Sequence, residues 1–125
     1  MTECSYLVDS SIWIDYLLGE SEQAKAILNE QVKMFTSALS LFEIKRKMIQ
    51  KKLSLKDVET ALAIIIKRGS LLVPTTEVCN LAAGLYVQYG LAAMDALIYA
   101  TAQHHKLILV TGDNDFRKLK DVKII

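Results

Sequence analysis

Five acidic residues stand where predicted strands end or predicted helices begin, and what they can do depends on whether they meet. The apolar run at residues 6–8 ends on one acid, and the apolar run at residues 107–110 is followed by two more. The remaining two lie near the starts of helical patterns. In a parallel sheet the carboxyl ends of the strands open on one edge, which is also where ligands bind. The acids are Asp9, Glu43, Asp95, Asp113 and Asp115.

A shared pocket of carboxylates implies a metal ion. Two unit charges ~5 Å apart repel by roughly 3 kcal/mol at an effective dielectric constant near 20. Several acids therefore stay ionised together only if divalent cations neutralise them; otherwise some of them bind protons. All-oxygen sites suit Mg²⁺ or Mn²⁺. Such ions polarise phosphate esters and lower the pKa of bound water, so the predicted reaction is metal-assisted phosphodiester hydrolysis without a covalent protein nucleophile.

Taken alone, most of these acids have an ordinary structural interpretation. Asp9 fits a helix N-cap, and Glu43 fits a first-turn residue that interacts with the helix dipole. The acids at residues 113–115 fit a turn. Asp95 is different, because its neighbours are apolar and a buried carboxylate needs a partner. The functional interpretation depends on all five positions lying at one edge.

The elements that must position these acids alternate along the chain. Apolar runs predict strands at residues 6–8, 32–35, 70–73, 107–110 and 122–125, with helical patterns between them. Ser21, Ser54 and either Thr75 or Thr76 are expected helix N-caps. Because the strands are apolar without alternation, we predict a parallel α/β/α sandwich in which residues 107–110 form a central strand and residues 122–125 an edge strand.

Composition limits the classes of protein that need consideration. The chain has 125 residues, of which 52% are hydrophobic, and this suits a single domain spanning residues 1–125. The net charge of +1 means that a nucleic-acid partner would need a local basic patch. We expect Cys4 and Cys79 to be buried thiols rather than a disulfide. The sequence lacks a signal-peptide pattern and an apolar run of membrane-spanning length, so we expect a soluble cytoplasmic protein with no membrane partner.

Four short motifs, in this order, resemble those of PIN-domain ribonucleases, in particular the small toxins of VapBC-type modules. The resemblance covers essentially the whole chain. The resemblance implies a five-stranded parallel sheet in order 3-2-1-4-5, an Mg²⁺- or Mn²⁺-dependent endoribonuclease site, a homodimer, and a small VapB-like antitoxin partner. The motifs are Leu7-Val-Asp9-Ser-Ser, Ser40-Leu-Phe-Glu43-Ile, Met94-Asp95-Ala-Leu-Ile and Leu109-Val-Thr-Gly-Asp113-Asn-Asp115-Phe.

The resemblance also implies roles for individual residues. The family's acidic quartet matches Asp9, Glu43, Asp95 and Asp113. Asp115 could replace Asp113 as the nearer ligand, so the expected metal ligands are Asp9, Asp95, Asp113 and Asp115. Thr111 is expected to orient a carboxylate or a metal-bound water. Ser10 or Ser11 is expected to do the same, with Ser10 the residue we favour.

Basic residues follow Glu43 on the same predicted helix. Arg46, Lys47 and Lys51 lie three, four and eight positions after it and therefore share its side. They form a stripe that suits a phosphate backbone, although a solvated helix face has the same pattern. Three further cations follow the last motif and are candidates to contact RNA on the opposite side of the acidic pocket: Arg117, Lys118 and Lys120. His104 and His105 fit the cationic end of a helix better than a metal site.

Two other functions fit parts of the pattern. A catalytically silent PIN-like module would bind RNA or protein with the same fold, and would differ by having no affinity for Mn²⁺. A phosphatase-like enzyme would use Asp9 as a nucleophile. Such enzymes usually have a second Asp two residues after the nucleophile, and this chain has Ser11 at that position. We therefore rank the phosphatase last and the metal-dependent endoribonuclease, as the toxin of a type II module, first.

Overall fold

The computed structural model describes residues 4–125, and its centre is a five-stranded parallel sheet. The strand order is β3-β2-β1-β4-β5, as the sequence analysis predicted. The β1 strand pairs with β2 on one side and β4 on the other, so the residue after β1 lies at the middle of the sheet edge. The strands are β1 (Tyr6–Val8), β2 (Met34–Ser37), β3 (Ser70–Leu72), β4 (Ile108–Thr111) and β5 (Val122–Ile124).

Six α-helices connect the strands within this part of the chain, and most begin at a hydroxyl residue. Ser21, Ser54 and Thr75 each accept a hydrogen bond from the third backbone N–H that follows them, as expected of N-caps. Gly90 ends the fifth helix with φ of 67°, a left-handed conformation that costs glycine little. The helices are α1 (Ser10–Leu17), α2 (Glu22–Leu28), α3 (Ala38–Gln50), α4 (Leu55–Arg68), α5 (Thr76–Tyr89) and α6 (Ala93–His104), with a short 3₁₀ helix at Asn114–Phe116.

Each face of the sheet carries its own hydrophobic core. Alternate strand residues point to opposite faces, so Tyr6 and Val8 pack with α1 to α4, whereas Leu7 packs with α5 and α6. The β4 strand divides in the same way, with Val110 in the first core and Leu109 in the second. The predicted three-layer α/β/α architecture is therefore confirmed, with β4 covered on both faces.

Some local predictions were wrong. The second strand begins at Met34 instead of residue 32, because its register with β1 starts there. The two cysteines are exposed rather than buried, since Cys79 follows the buried Val78 and points away from the core. Both thiols are free. Among the described residues no single helix is long and apolar enough to cross a membrane; α5 and α6 reach that length and composition only as a pair bent by 120°.

Candidate metal centre

Asp9 lies at the carboxyl end of β1 and is 8% exposed. Its backbone N–H donates to the carbonyl oxygen of Val110 at 2.9 Å, which holds it against β4. Its Oδ2 accepts hydrogen bonds from Thr111 Oγ1 at 2.7 Å and Ser11 Oγ at 3.3 Å. Although Asp9 occupies the N-cap position of α1, its side chain makes no capping hydrogen bond. The carboxylate is therefore held by the hydroxyls of Thr111 and Ser11 and does not cap the helix.

The loop after β4 is tied to Asp9 through the same two hydroxyls. The N–H of Asp113 donates to Thr111 Oγ1, and the N–H of Gly112 donates to Ser11 Oγ, each at 3.0 Å. Each hydroxyl thus accepts from the loop and donates to Asp9, so the loop and the carboxylate hold each other in place. This dual contact makes Ser11, rather than Ser10, the serine bonded to Asp9.

Three further acids face one another at this edge. One carboxylate oxygen from each of Asp95, Asp113 and Asp115 lies within 4.8 Å of the other two. Asp113 also uses Oδ1 to accept from the N–H of Asp115 at 2.9 Å, which caps the 3₁₀ helix. One oxygen of Asp113 therefore has the structural role in a turn that the sequence also allowed.

The dimensions and chemistry of this cluster fit a small divalent cation. Mg²⁺ binds oxygen at about 2.0–2.1 Å, so ligands on opposite sides of one ion are about 4.2 Å apart. Three oxygens within 4.8 Å of one another come close to that size. The set is all-oxygen and anionic, which suits Mg²⁺ or Mn²⁺ better than softer metals.

Glu43 reaches the same edge from α3. Its Oε1 accepts a hydrogen bond from Ser10 Oγ at 3.3 Å, and the residue is half-buried. The first turn of α3 contains no acid, so the dipole interpretation of Glu43 was wrong: the helix begins at Ala38, five residues earlier. Ser10 therefore positions Glu43, while its neighbour Ser11 positions Asp9.

The charges of the other four acids at this edge all act on Asp95. Burial, followed by the charges of Asp113, Asp9, Glu43 and Asp115, raises the pKa of Asp95 to about 6. Burial also raises the pKa of Asp9, although the hydroxyls of Thr111 and Ser11 oppose that shift. Burial and then the charge of Asp9 raise the pKa of Glu43. Every shift disfavours the charged form, and a cation would reverse it.

The predicted basic stripe is exposed along α3. Arg46, Lys47 and Lys51 all face solvent. The guanidinium of Arg46 lies 5.7 Å from the centre of the Phe42 ring, and its charge lowers the pKa of Glu43 against the larger effects that raise it. Arg46 thus joins the stripe to the acidic edge. His104 and His105 stack edge to face at the end of α6 and are not part of the carboxylate cluster.

Several solved structures share this fold. A toxin–antitoxin complex from Klebsiella pneumoniae aligns with a TM-score of 0.80 and 24% identity, over 94% of this chain and 95% of that one. VapBC2 from Rickettsia felis, bound to a DNA fragment from its promoter, aligns with a TM-score of 0.77 and 17% identity, over 97% of both chains. VapC20 from Mycobacterium tuberculosis, a Sarcin-Ricin loop cleaving toxin, aligns with a TM-score of 0.74 and 18% identity, over 92% and 95%.

At the level of sequence, no curated protein matches the chain. The family model described as PIN domain does match, over residues 6–122, which includes every acid at the sheet edge. The chain therefore belongs to the PIN domain family.

Proposed function

We propose that this chain is a metal-dependent endoribonuclease that hydrolyses RNA phosphodiester bonds and acts as the toxin of a type II toxin–antitoxin module. The observation that carries the proposal is the cluster of Asp95, Asp113 and Asp115 oxygens within 4.8 Å of one another, beside the buried Asp9. In this proposal residues 1–125 form one nuclease domain. RNA is the proposed substrate class because the four acidic motifs resemble those of PIN-domain ribonucleases, and because the similar VapC20 structure is described as a Sarcin-Ricin loop cleaving toxin.

The proposed metal ligands are Asp9, Asp95, Asp113 and Asp115, and the proposed ion is Mg²⁺ or Mn²⁺. When bound, the ion supplies charge for the phosphate oxygens and lowers the pKa of a water molecule. The protein's own contribution is to hold the carboxylates ready. Thr111 and Ser11 keep one oxygen of Asp9 fixed, which leaves the other free to bind.

Glu43 has a separate proposed role as the proton acceptor. Its Oε1 is engaged by Ser10, which leaves Oε2 to take a proton from the attacking water. A carboxylate whose pKa is raised is better suited to that task than an ordinary one. Arg46, Lys47 and Lys51 are proposed to bind the RNA backbone that leads away from the cut bond.

The proposed partners are a VapB-like antitoxin and a second copy of the chain, with the toxin acting in the cytoplasm. Similarity to the Klebsiella pneumoniae complex supports the antitoxin. The outer surfaces of α3 and α4 also carry large apolar side chains in solvent, and such patches mark protein interfaces. They include Phe42, Ile49, Leu55, Ile64 and Ile66, each more than 40% exposed.

Cleavage of RNA in Mn²⁺ or Mg²⁺ tests the function. We expect activity in the wild type, loss of activity in EDTA, and loss in both Asp9→Asn and Asp95→Asn. Asp57→Asn is the matched control, because Asp57 is an exposed acid on α4 outside the cluster. Activity that survives chelation and both substitutions would refute the proposal. Failure of the wild type to bind Mn²⁺ at millimolar concentration would favour a catalytically silent module.

A further inference from the structure

A small open cavity lies directly beside the carboxylate cluster and has no role in the function proposed above. Its volume is about 280 Å³, just below the ~300–1,000 Å³ range of small-molecule sites. Asp115 belongs both to its wall and to the cluster. A ligand in the cavity would therefore lie next to whatever the cluster holds. The lining residues are Tyr89, Leu91, Asn114, Asp115, Arg117, Lys118 and Leu119.

Tyr89 supplies an aromatic wall. It is the last residue of α5 and is 49% exposed, while Leu91, two residues later, is buried. The left-handed turn at Gly90 separates the two, so the chain is anchored just beyond the ring. An exposed ring next to a proposed RNA-cleaving site is a surface on which a nucleobase can stack, because every base has a flat face.

Arg117 and Lys118 supply positive charge at the same cavity. Both are exposed because their neighbours Phe116 and Leu119 are buried in the core and fix the segment from either end. Within residues 4–125 the one ion pair joins Lys25 to Glu22, so no described carboxylate neutralises Arg117 or Lys118. Arginine is suited to phosphate because its planar guanidinium donates two parallel hydrogen bonds.

We propose that this cavity is a nucleotide subsite, which holds one nucleotide of single-stranded RNA next to the bond that is cut. Tyr89 stacks on the base, Arg117 and Lys118 bind its phosphate, and the Asn114 amide offers a donor and an acceptor to the base edge. The inference rests on the proposed ribonuclease function, since it takes RNA as the ligand. It adds a determinant of which nucleotide flanks the cleaved bond.

Binding of a fluorescein-labelled six-nucleotide RNA, measured by anisotropy with Ca²⁺ in place of Mn²⁺, tests the subsite without requiring cleavage. We expect Tyr89→Ala to weaken binding about tenfold, as loss of one stacked base does, and Tyr89→Phe to retain it. Tyr86→Ala is the control, because Tyr86 lies on the same helix, is 50% exposed, and lines a different groove. Equal dissociation constants for Tyr89→Ala and Tyr86→Ala would overturn the subsite.

The salt dependence of the same binding tests the phosphate contact. Each phosphate contact to a single strand contributes about 0.7 to the slope of log K against log salt. We expect Arg117→Ala to lower the slope by about that amount and Lys56→Ala, an exposed cation on α4, to leave it unchanged. Unchanged slopes in both variants would remove Arg117 from the subsite. A wild type that binds this RNA but cleaves none in Mn²⁺ would refute the proposed function and leave the subsite to be decided by the Tyr89 variants.

Discussion

The two sides of the carboxylate edge differ in how they accommodate buried negative charge. One side, the anchored half, consists of Asp9, Ser11 and Thr111, where two hydroxyls donate to one buried carboxylate. The other, the open half, consists of Asp95, Asp113 and Asp115. Within residues 4–125 no group donates a hydrogen bond to the Asp95 carboxylate. Four negative charges act on it, those of Asp113, Asp9, Glu43 and Asp115.

The difference shows which part of the site is built before a cation arrives. In the anchored half, hydrogen bonds to the charged form oppose the cost of burial and fix the geometry in advance. In the open half, burial and then the charges of the neighbouring acids raise the pKa of Asp95 to about 6, and no hydrogen bond to its carboxylate opposes them within residues 4–125. Binding a cation therefore stabilises the open half most, while the anchored half limits how far the ligands must move.

Replacing Asp95 should produce the largest change in stability. The free energy of unfolding should rise in the absence of metal, and the additional stability that Mn²⁺ gives should be lost. Asp95→Asn removes one ligand and one repelling charge, so the variant should unfold at a higher denaturant concentration than the wild type in EDTA. It should lose the stabilisation by Mn²⁺, which for the wild type is about 2.7 kcal/mol at a hundred times the dissociation constant. Chemical denaturation at pH 7.5 with and without Mn²⁺ measures both. A variant that is less stable in EDTA would contradict the repulsion in the open half.

Breaking the anchored half should have a smaller effect, which we expect to see in the affinity for Mn²⁺. Thr111→Val keeps the shape but removes the donor to Asp9 and the acceptor for the Asp113 N–H, so we expect Mn²⁺ affinity to fall about 10- to 100-fold, as for other groups that orient metal ligands. Calorimetric titration with Mn²⁺ gives the value. Thr101→Val is the control, since Thr101 is equally buried and bonds only to the carbonyl oxygen of Leu97. Similar affinities for the two variants would show that the hydroxyl contact does not position Asp9.

A pH titration sharpens the comparison further. The pKa of Asp95 in the folded protein lies above its ordinary value of 3.8, so between pH 3.8 and about 6 the folded state binds more protons than the unfolded chain. In EDTA the free energy of unfolding should therefore fall as pH rises through that window, and the slope should be smaller in Asp95→Asn. Mn²⁺ affinity should fall about tenfold per pH unit below 6, because a proton competes with the cation. Affinity that stays constant from pH 7 to pH 5 would contradict this.

The sequence predicts the fold well because strands and helices depend on patterns that are local. Strand and helix alternation determines the layers, and it places Asp9 and Asp113 after strand ends and Glu43 and Asp95 on helices. The sheet order came from the resemblance to the family and agrees with the structure.

The contacts among side chains were harder to predict because they depend on how each helix is rotated. Ser10 and Ser11 are neighbours in sequence but lie about 100° apart around α1, so one meets Glu43 and the other meets Asp9. Which serine meets which acid is decided by the packing of α1 against α3 and β4. The exposure of Tyr89 beside Asp115 likewise depends on the bend between α5 and α6, which no local pattern in the sequence specifies.

The two loop hydrogen bonds to Thr111 and Ser11 also affect how the molecule opens. Gly112 and Asp113 lie in a surface loop, where backbone amides ordinarily exchange quickly with solvent. Here each N–H is held by a hydroxyl that is itself bonded to Asp9 at the end of a central strand. Freeing either amide disturbs the contacts of that buried carboxylate, so we expect the loop to open together with the end of β1 and its amides to exchange as slowly as that strand end. The rate at which this surface loop opens should therefore depend on the stability of the central strand β1.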